Sequence, residues 1–171
     1  MLKNWTKAQI RDRIARVTEM AELGTVECKI RKVVKANDKG EFYKLGSRTI
    51  VMTCLATLKA GIKLDGFTED NVKVDTRRQS VRITLPHAEV LTFNIPPEEV
   101  VEEWYGVGLF RSDFTDAERN DFLRQAEEDI QGDRELIRSV GILEDAERGA
   151  EEILRTLLSG AGFTDIDIEF K

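Results

Sequence analysis

The chain has 171 residues, of which 41% are hydrophobic and 34% are charged, with a formal net charge of −6. This composition predicts one soluble globular domain and excludes a disordered chain. No stretch approaches the roughly 20 apolar residues that span a bilayer, and no signal peptide is recognisable at the start.

The charge is unevenly distributed along the chain. Residues 1–92 hold 18 Lys or Arg and 11 Asp or Glu, whereas residues 93–171 hold 8 and 21. We interpret this asymmetry as two halves that pair across their boundary. Nucleic-acid binding is not expected, because the basic half also carries carboxylates and has no stripe of basic and aromatic residues.

Residues 5–23 are predicted to form an amphipathic helix, because Ile10, Ile14 and Val17 recur at helical spacing. A helix packed on the domain's own core is the favoured interpretation. A short stalk that links an anchor to the domain is the alternative. Gly24 is expected to end the helix. The predicted organisation is therefore residues 1–23 as an N-terminal helix or stalk and residues 24–171 as a single α+β domain.

Period-two alternation predicts strands over the next part of the chain. They cover residues 26–31 and 50–63, a hairpin of 72–74 with 81–83, and 90–95, with an interruption at Pro86. After Pro97, the acid-rich residues 98–104 are expected to form a helical turn.

The remaining elements are predicted to be mainly helical. Thr115 and Glu118 match a capping box that opens a helix to about Ile130, and a short helix follows at 134–140. Residues 143–159 carry an apolar stripe, and the alternation in 163–170 predicts a terminal strand. The stripe comprises Ala146, Ala150, Ile153, Leu154, Leu157 and Leu158. The fold class is α+β: a largely antiparallel sheet of about five or six strands, with the C-terminal helices on one face.

The terminal strand has an acidic face. Asp165, Asp167 and Glu169 alternate with apolar residues, as Lys29 and Arg31 do in the first strand. We predict that these oppositely charged faces pair or lie near one another.

Two cysteines form the sharpest candidate pair. A hairpin centred near residue 41 places Cys28 opposite Cys54, within disulfide range. Two buried reduced thiols are the favoured alternative. No metal site and no cofactor are expected, because two thiols and the lone His87 lack a metal-ligand spacing.

The candidate binding residues lie in two places. Trp104, Tyr105 and Phe110 surround Gly106 and Gly108 on a predicted glycine-bearing loop, where aromatic residues either contact a ligand or close one end of the core. The second candidate is the turn Arg77-Arg78, which joins the two strands of the predicted hairpin.

A family resemblance is carried by residues 58–64 (LKAGIKL), 83–91 (ITLPHAEVL) and 108–110 (GLF). These segments, in this order, resemble the bacterial domain-of-unknown-function family 4230. The resemblance implies an N-terminal membrane anchor in many relatives, and hence an extracytoplasmic location for the full-length protein. It supplies no reaction and no catalytic residues.

The leading hypothesis is a non-catalytic binding or scaffolding module of the cell envelope, with a protein or lipid partner and with homo-oligomerisation left open. One alternative is a hydrolase-like enzyme in which two carboxylates such as Glu89 and Glu99 converge. Another is a domain that binds an apolar small molecule or a lipid between the helices and the sheet.

Overall fold

The computed structural model describes residues 6–17, 22–38, 48–106 and 115–171. The helices in these ranges are α1 (Lys7–Val17), α2 (Asp116–Gly132), α3 (Arg134–Ser139) and α4 (Ile142–Gly160). The strands are β1 (Glu22–Asp38), β2 (Arg48–Lys63), β3 (Val72–Asp75), β4 (Ser80–Leu85), β5 (Glu89–Asn94), β6 (Val100–Gly106) and β7 (Asp165–Phe170). Short 3-10 turns at Glu69–Asn71 and Pro97–Glu99 precede β3 and β6.

The strands form two sheets. In the first, the order is β1-β2-β5, and β6 also pairs with β2 in antiparallel register. In the second, β4 is central, with β3 antiparallel on one side and β7 parallel on the other. The predicted α+β class is confirmed, together with the antiparallel sheet, the C-terminal helices and the closing strand. The predicted strands are divided between these two sheets, and the closing strand β7 belongs to the second.

Period-two alternation in β2 corresponds to alternating burial. From Met52 to Ile62, every second side chain is at most 1% exposed, whereas the intervening residues other than Gly61 are only partly buried. The buried set comprises Met52, Cys54, Ala56, Leu58, Ala60 and Ile62. This face therefore forms core, as the sequence pattern predicts.

The chain divides into two compact units, and β1 and β2 contribute residues to both. Unit 1 comprises residues 1–27, 59–91 and 140–171. Within it, α1 lies against β3, and Ile10 of this helix is fully buried. Helix α4 lies against β7 and buries residues at i, i+4 spacing from Ile142 to Leu158.

Unit 2 comprises residues 28–58 and 92–139. The predicted capping box opens α2: the Thr115 hydroxyl accepts from the Glu118 amide at 3.3 Å, and the Thr115 amide donates to the Glu118 carboxylate at 2.8 Å. Phe122, Ala126 and Ile130 then form the buried face of the helix.

Three local predictions are wrong. Gly24 lies within β1, with a φ of +65°, and does not end a helix. After the turn at Pro97–Glu99, the chain forms strand β6, because residues 100–106 pair with β2. Ile153, expected in the buried stripe of α4, is 40% exposed, because the buried residues recur every four positions from Ile142 to Leu158 and this row does not include position 153.

Candidate functional site

The paired strands β4 and β7 differ in the burial of their apolar side chains. Its register aligns Val81 with Ile166, Ile83 with Ile168 and Leu85 with Phe170. The three β4 side chains are at most 2% exposed, whereas the three β7 side chains remain partly exposed. This difference is expected between a central strand, which has a neighbour on both sides, and an edge strand, which has one. Among the described residues, β7 is an edge of its sheet.

The backbone of β7 presents hydrogen-bonding groups on this edge. The amides of Asp165 and Lys171 donate toward β4, to the carbonyls of Gln79 at 3.3 Å and Leu85 at 2.8 Å. Because successive residues of a strand point their backbone groups to opposite sides, those of Ile166, Ile168 and Phe170 point away from β4. We call this side of the strand, defined by residues 166, 168 and 170, the β7 edge.

Arg155 of α4 occupies part of the β7 edge. Its guanidinium donates to the carbonyl of Ile166 at 2.8 Å and is held by Glu151, one helical turn earlier, at 2.8 Å. One outward carbonyl is therefore already satisfied by a side chain that is 46% exposed. The groups of residues 168 and 170 lie beyond this contact.

The other face of β7 carries acids that meet a single arginine of β4. Arg82 donates to Asp167 at 2.6 Å and lies 3.8 Å from Glu169. The hydrogen bond and charge of Asp167, together with the charge of Glu169, raise the pKa of Arg82. Asp165 is exposed at the start of the strand and lines an open depression of about 470 Å³ with Arg82 and Asp167. Asp165, Asp167 and Glu169 thus form an acidic row next to the β7 edge.

The predicted pairing of this acidic row with Lys29 and Arg31 is wrong. Strands β1 and β7 belong to different sheets, and Asp167 pairs with Arg82. Lys29 instead forms an ion pair with Glu99 at 3.4 Å.

The structure places the predicted arginine turn at the start of β4. The amides of Arg77 and Arg78 donate to the Asp75 carboxylate at 3.0 and 3.2 Å, and the side chain of Arg78 is 85% exposed. Asp75 thus stabilises the turn, because its carboxylate accepts hydrogen bonds from amides two and three residues later in the chain. Both arginines lie in the turn between β3 and β4. Their ligand-binding role stays a prediction.

The predicted aromatic cluster lies only partly in the described part of the chain. Trp104 and Tyr105 lie in β6, where their backbones pair in register with Val51 and Ile50. They therefore occupy a strand where a loop was expected. Phe110 lies outside the described residues.

The two cysteines are not joined in a disulfide. Cys54 is fully buried, and Cys28 is partly exposed. Burial, reinforced by the charge of Glu127, raises the pKa of the Cys54 thiol. A bridge in an oxidising compartment stays a prediction.

The lone histidine and the two glutamates named for the hydrolase alternative all have side-chain partners. His87 lies 2.9 Å from the Glu147 carboxylate and stacks on Phe170 at a ring separation of 6.3 Å. Glu89 pairs with Lys63, and Glu99 with Lys29. Among the described residues, no three His, Cys, Asp or Glu side chains converge as a metal-binding group.

A second exposed surface lies in unit 2. Arg31, Thr53, Leu55, Glu99 and Val101 line an open recess of about 280 Å³. Val101 is 56% exposed, so this face also carries apolar surface. It lacks the register-matched contrast between neighbouring strands that marks the β7 edge.

These features define an α+β domain whose three-stranded sheet has α1 against β3 and α4 against β7, and in which no further strand pairs with β7 among the described residues. The model of the family "Protein of unknown function (DUF4230)" matches residues 15–168, and the chain belongs to this family. No curated protein and no solved structure matches the chain. None of the helices in the described ranges has both the length and the apolar character needed to cross a membrane.

Proposed function

We propose that this protein is a non-catalytic binding module of the bacterial cell envelope, and that it captures an extended protein segment at the β7 edge. The observation that carries the proposal is the difference in burial between Ile83 of β4 and Ile168 of β7, which are aligned on one face. A strand added beyond β7 would give Ile168 a neighbouring strand on both sides, as β3 and β7 give Ile83. Its backbone would also pair with the outward groups of residues 168 and 170.

The strand at the other edge of this sheet, β3, provides the comparison for assigning the binding site to β7. There α1 lies against β3, and Ile10 of that helix is fully buried. Proteins commonly cover or charge sheet edges, because an uncovered edge is a template for strand pairing. Helix α4 likewise lies against β7, yet the apolar side chains of β7 remain partly exposed.

The binding proposal is tested by Ile168→Pro. The Ile168 amide points away from β4, so proline removes an outward donor without removing a β4–β7 hydrogen bond. Ile168→Val is the matched control, because it keeps the amide and an aliphatic side chain. We expect affinity-tagged Ile168→Val to recover the same partner as the wild type, and Ile168→Pro to lose it.

Circular dichroism and thermal melting establish that both variants are folded before their binding is compared. Equal partner recovery by Ile168→Pro and Ile168→Val would refute binding at the β7 edge.

The envelope location is supported by the family resemblance and needs its own experiment. Protease accessibility of the full-length protein is measured on intact cells and on spheroplasts, with membrane fractionation alongside. We expect a membrane-associated protein that becomes accessible from the outer side of the cytoplasmic membrane. A protein protected in both preparations would contradict the location and leave the β7 edge to be judged by its own test.

A further inference from the structure

The two faces of β7 specify the chemistry of the segment that the β7 edge would accept. Ile166, Ile168 and Phe170 form an apolar row on the face shared with the buried side chains of β4. The acidic row lies on the opposite face. A paired strand places its side chains about 4.5–5.5 Å from those of its neighbour, so it meets both rows at once.

We propose that the β7 edge binds an extended segment in which aliphatic residues alternate with lysine or arginine. The aliphatic residues would continue the apolar row, and the basic residues would lie beside the acidic row. This inference rests on the proposed function and adds the identity of the partner sequence.

The charge of the acidic row supports a basic partner. Arg82 contacts Asp167 and Glu169 from the β4 side, and Lys171 lies 3.7 Å from Glu169. Asp165 is exposed. Asp167 and Glu169 keep 45% and 38% of their side-chain surface exposed, so both carboxylates remain accessible to a further cation.

The same charges disfavour a symmetric second copy as the occupant. Pairing β7 with β7 in antiparallel register would align two acidic rows on one face, and directly opposed like charges destabilise a sheet. A segment of another protein with alternating basic residues avoids this repulsion.

Arg155 limits the register of the added strand. Its hydrogen bond to the Ile166 carbonyl occupies the N-terminal part of the β7 edge. Pairing therefore begins at residues 168 and 170, and Arg155 is a positioning residue for the incoming strand. Arg155→Ala is expected to free the Ile166 carbonyl and allow one further residue to pair.

The experiment uses three fluorescent eight-residue peptides that alternate valine with lysine, with serine or with glutamate. Fluorescence anisotropy gives their affinities for the wild type, for Ile168→Pro and for the double variant Asp165→Asn/Glu169→Gln. We expect the lysine peptide to bind the wild type most tightly and the glutamate peptide least. Neutralising two acids should weaken binding of the lysine peptide roughly 2- to 25-fold, if each cross-strand charge pair contributes about 1.5- to fivefold. Ile168→Pro should abolish binding.

The outcomes separate this inference from the proposed function. Equal binding of all three peptides, abolished by Ile168→Pro, would overturn the basic-segment inference and leave strand capture standing. Binding of the lysine peptide that Ile168→Pro does not weaken would overturn the inference, because it would reflect surface charge alone. Failure of all three peptides would overturn the inference, and partner recovery with Ile168→Pro would still decide the proposed function.

Discussion

Adding a single methyl group at Gly24 is expected to lower the stability of unit 1 strongly. Gly24 lies in β1 with a φ of +65°, directly against α4. A Cβ built on this residue would meet the carbonyl oxygen of Ala146, the backbone nitrogen of Ala150 at 2.6 Å and its Cβ at 2.9 Å. Two of these three atoms are helix backbone, so a rotamer change cannot relieve the contact.

The expected magnitude follows from two contributions. The left-handed conformation costs a residue with a Cβ about 1–2 kcal/mol, and overpacking against a fixed backbone costs about 1–3 kcal/mol. We therefore expect Gly24→Ala to lower the free energy of unfolding by about 2–5 kcal/mol. Urea denaturation followed by circular dichroism measures this loss as a lower midpoint at unchanged slope.

Gly149→Ala is the matched control from the opposite side of the same contact. A Cβ on Gly149 would lie 3.8 Å from the Gly24 Cα, which is ordinary van der Waals contact. Because alanine is favoured over glycine inside a helix, Gly149→Ala should be neutral or stabilising by up to about 1 kcal/mol. A loss below about 1 kcal/mol for Gly24→Ala, or equal losses for the two variants, would refute the close packing of β1 on α4.

Three further predictions concern unit 2. Thr115→Ala removes the hydroxyl that caps α2 and should cost about 1 kcal/mol in urea denaturation, whereas Thr115→Ser should retain most of the stability. The Asp133 carboxylate accepts from the Leu136 amide, which with a nearby lysine lowers the pKa of Asp133. The stabilisation by the Asp133 carboxylate is therefore present above its unfolded pKa near 3.8 and is lost as the pH falls through its folded pKa. The difference in unfolding free energy between the wild type and Asp133→Asn should shrink on acidification, and a constant difference would contradict this. Cys54 should react with iodoacetamide more slowly than Cys28, because it is buried and its thiol pKa is raised; mass spectrometry showing equal labelling rates would contradict its burial.

Patterns confined to one element could be predicted from the sequence. The alternation in β2 and the capping box before α2 depend on residues that are neighbours in the chain, and both were confirmed. The hairpin of β3 and β4 was likewise visible, because its strands are separated only by the turn at residues 76–79. In each case the local pattern and the tertiary contacts favour the same conformation.

Pairings between distant segments could not be predicted. Residues 98–104 resemble the start of a helix after Pro97, but pairing with β2 makes residues 100–106 a strand. The alternation in 165–170 indicates a strand without indicating its neighbour, and the parallel partner β4 lies about 80 residues earlier. The β7 edge was missed for this reason. The one local signal near it is the i, i+4 spacing of Glu151 and Arg155, which is typical of an ion pair on a helix.

The acidic row is expected to act in two ways at the β7 edge, favouring a basic partner and preventing self-association. Charged residues near sheet edges commonly prevent edge-to-edge pairing. Asp165→Asn combined with Glu169→Gln leaves the Arg82–Asp167 pair intact while removing two of the three charges that would be opposed in a β7–β7 pair. We therefore expect this double variant to self-associate more strongly than the wild type in sedimentation velocity, and the addition of Ile168→Pro to reverse the change, because it removes an outward amide. If the double variant sediments like the wild type over the same concentration range, charge repulsion is not what keeps the β7 edges apart, and the contact of Arg155 with the Ile166 carbonyl is left as the feature that protects the edge.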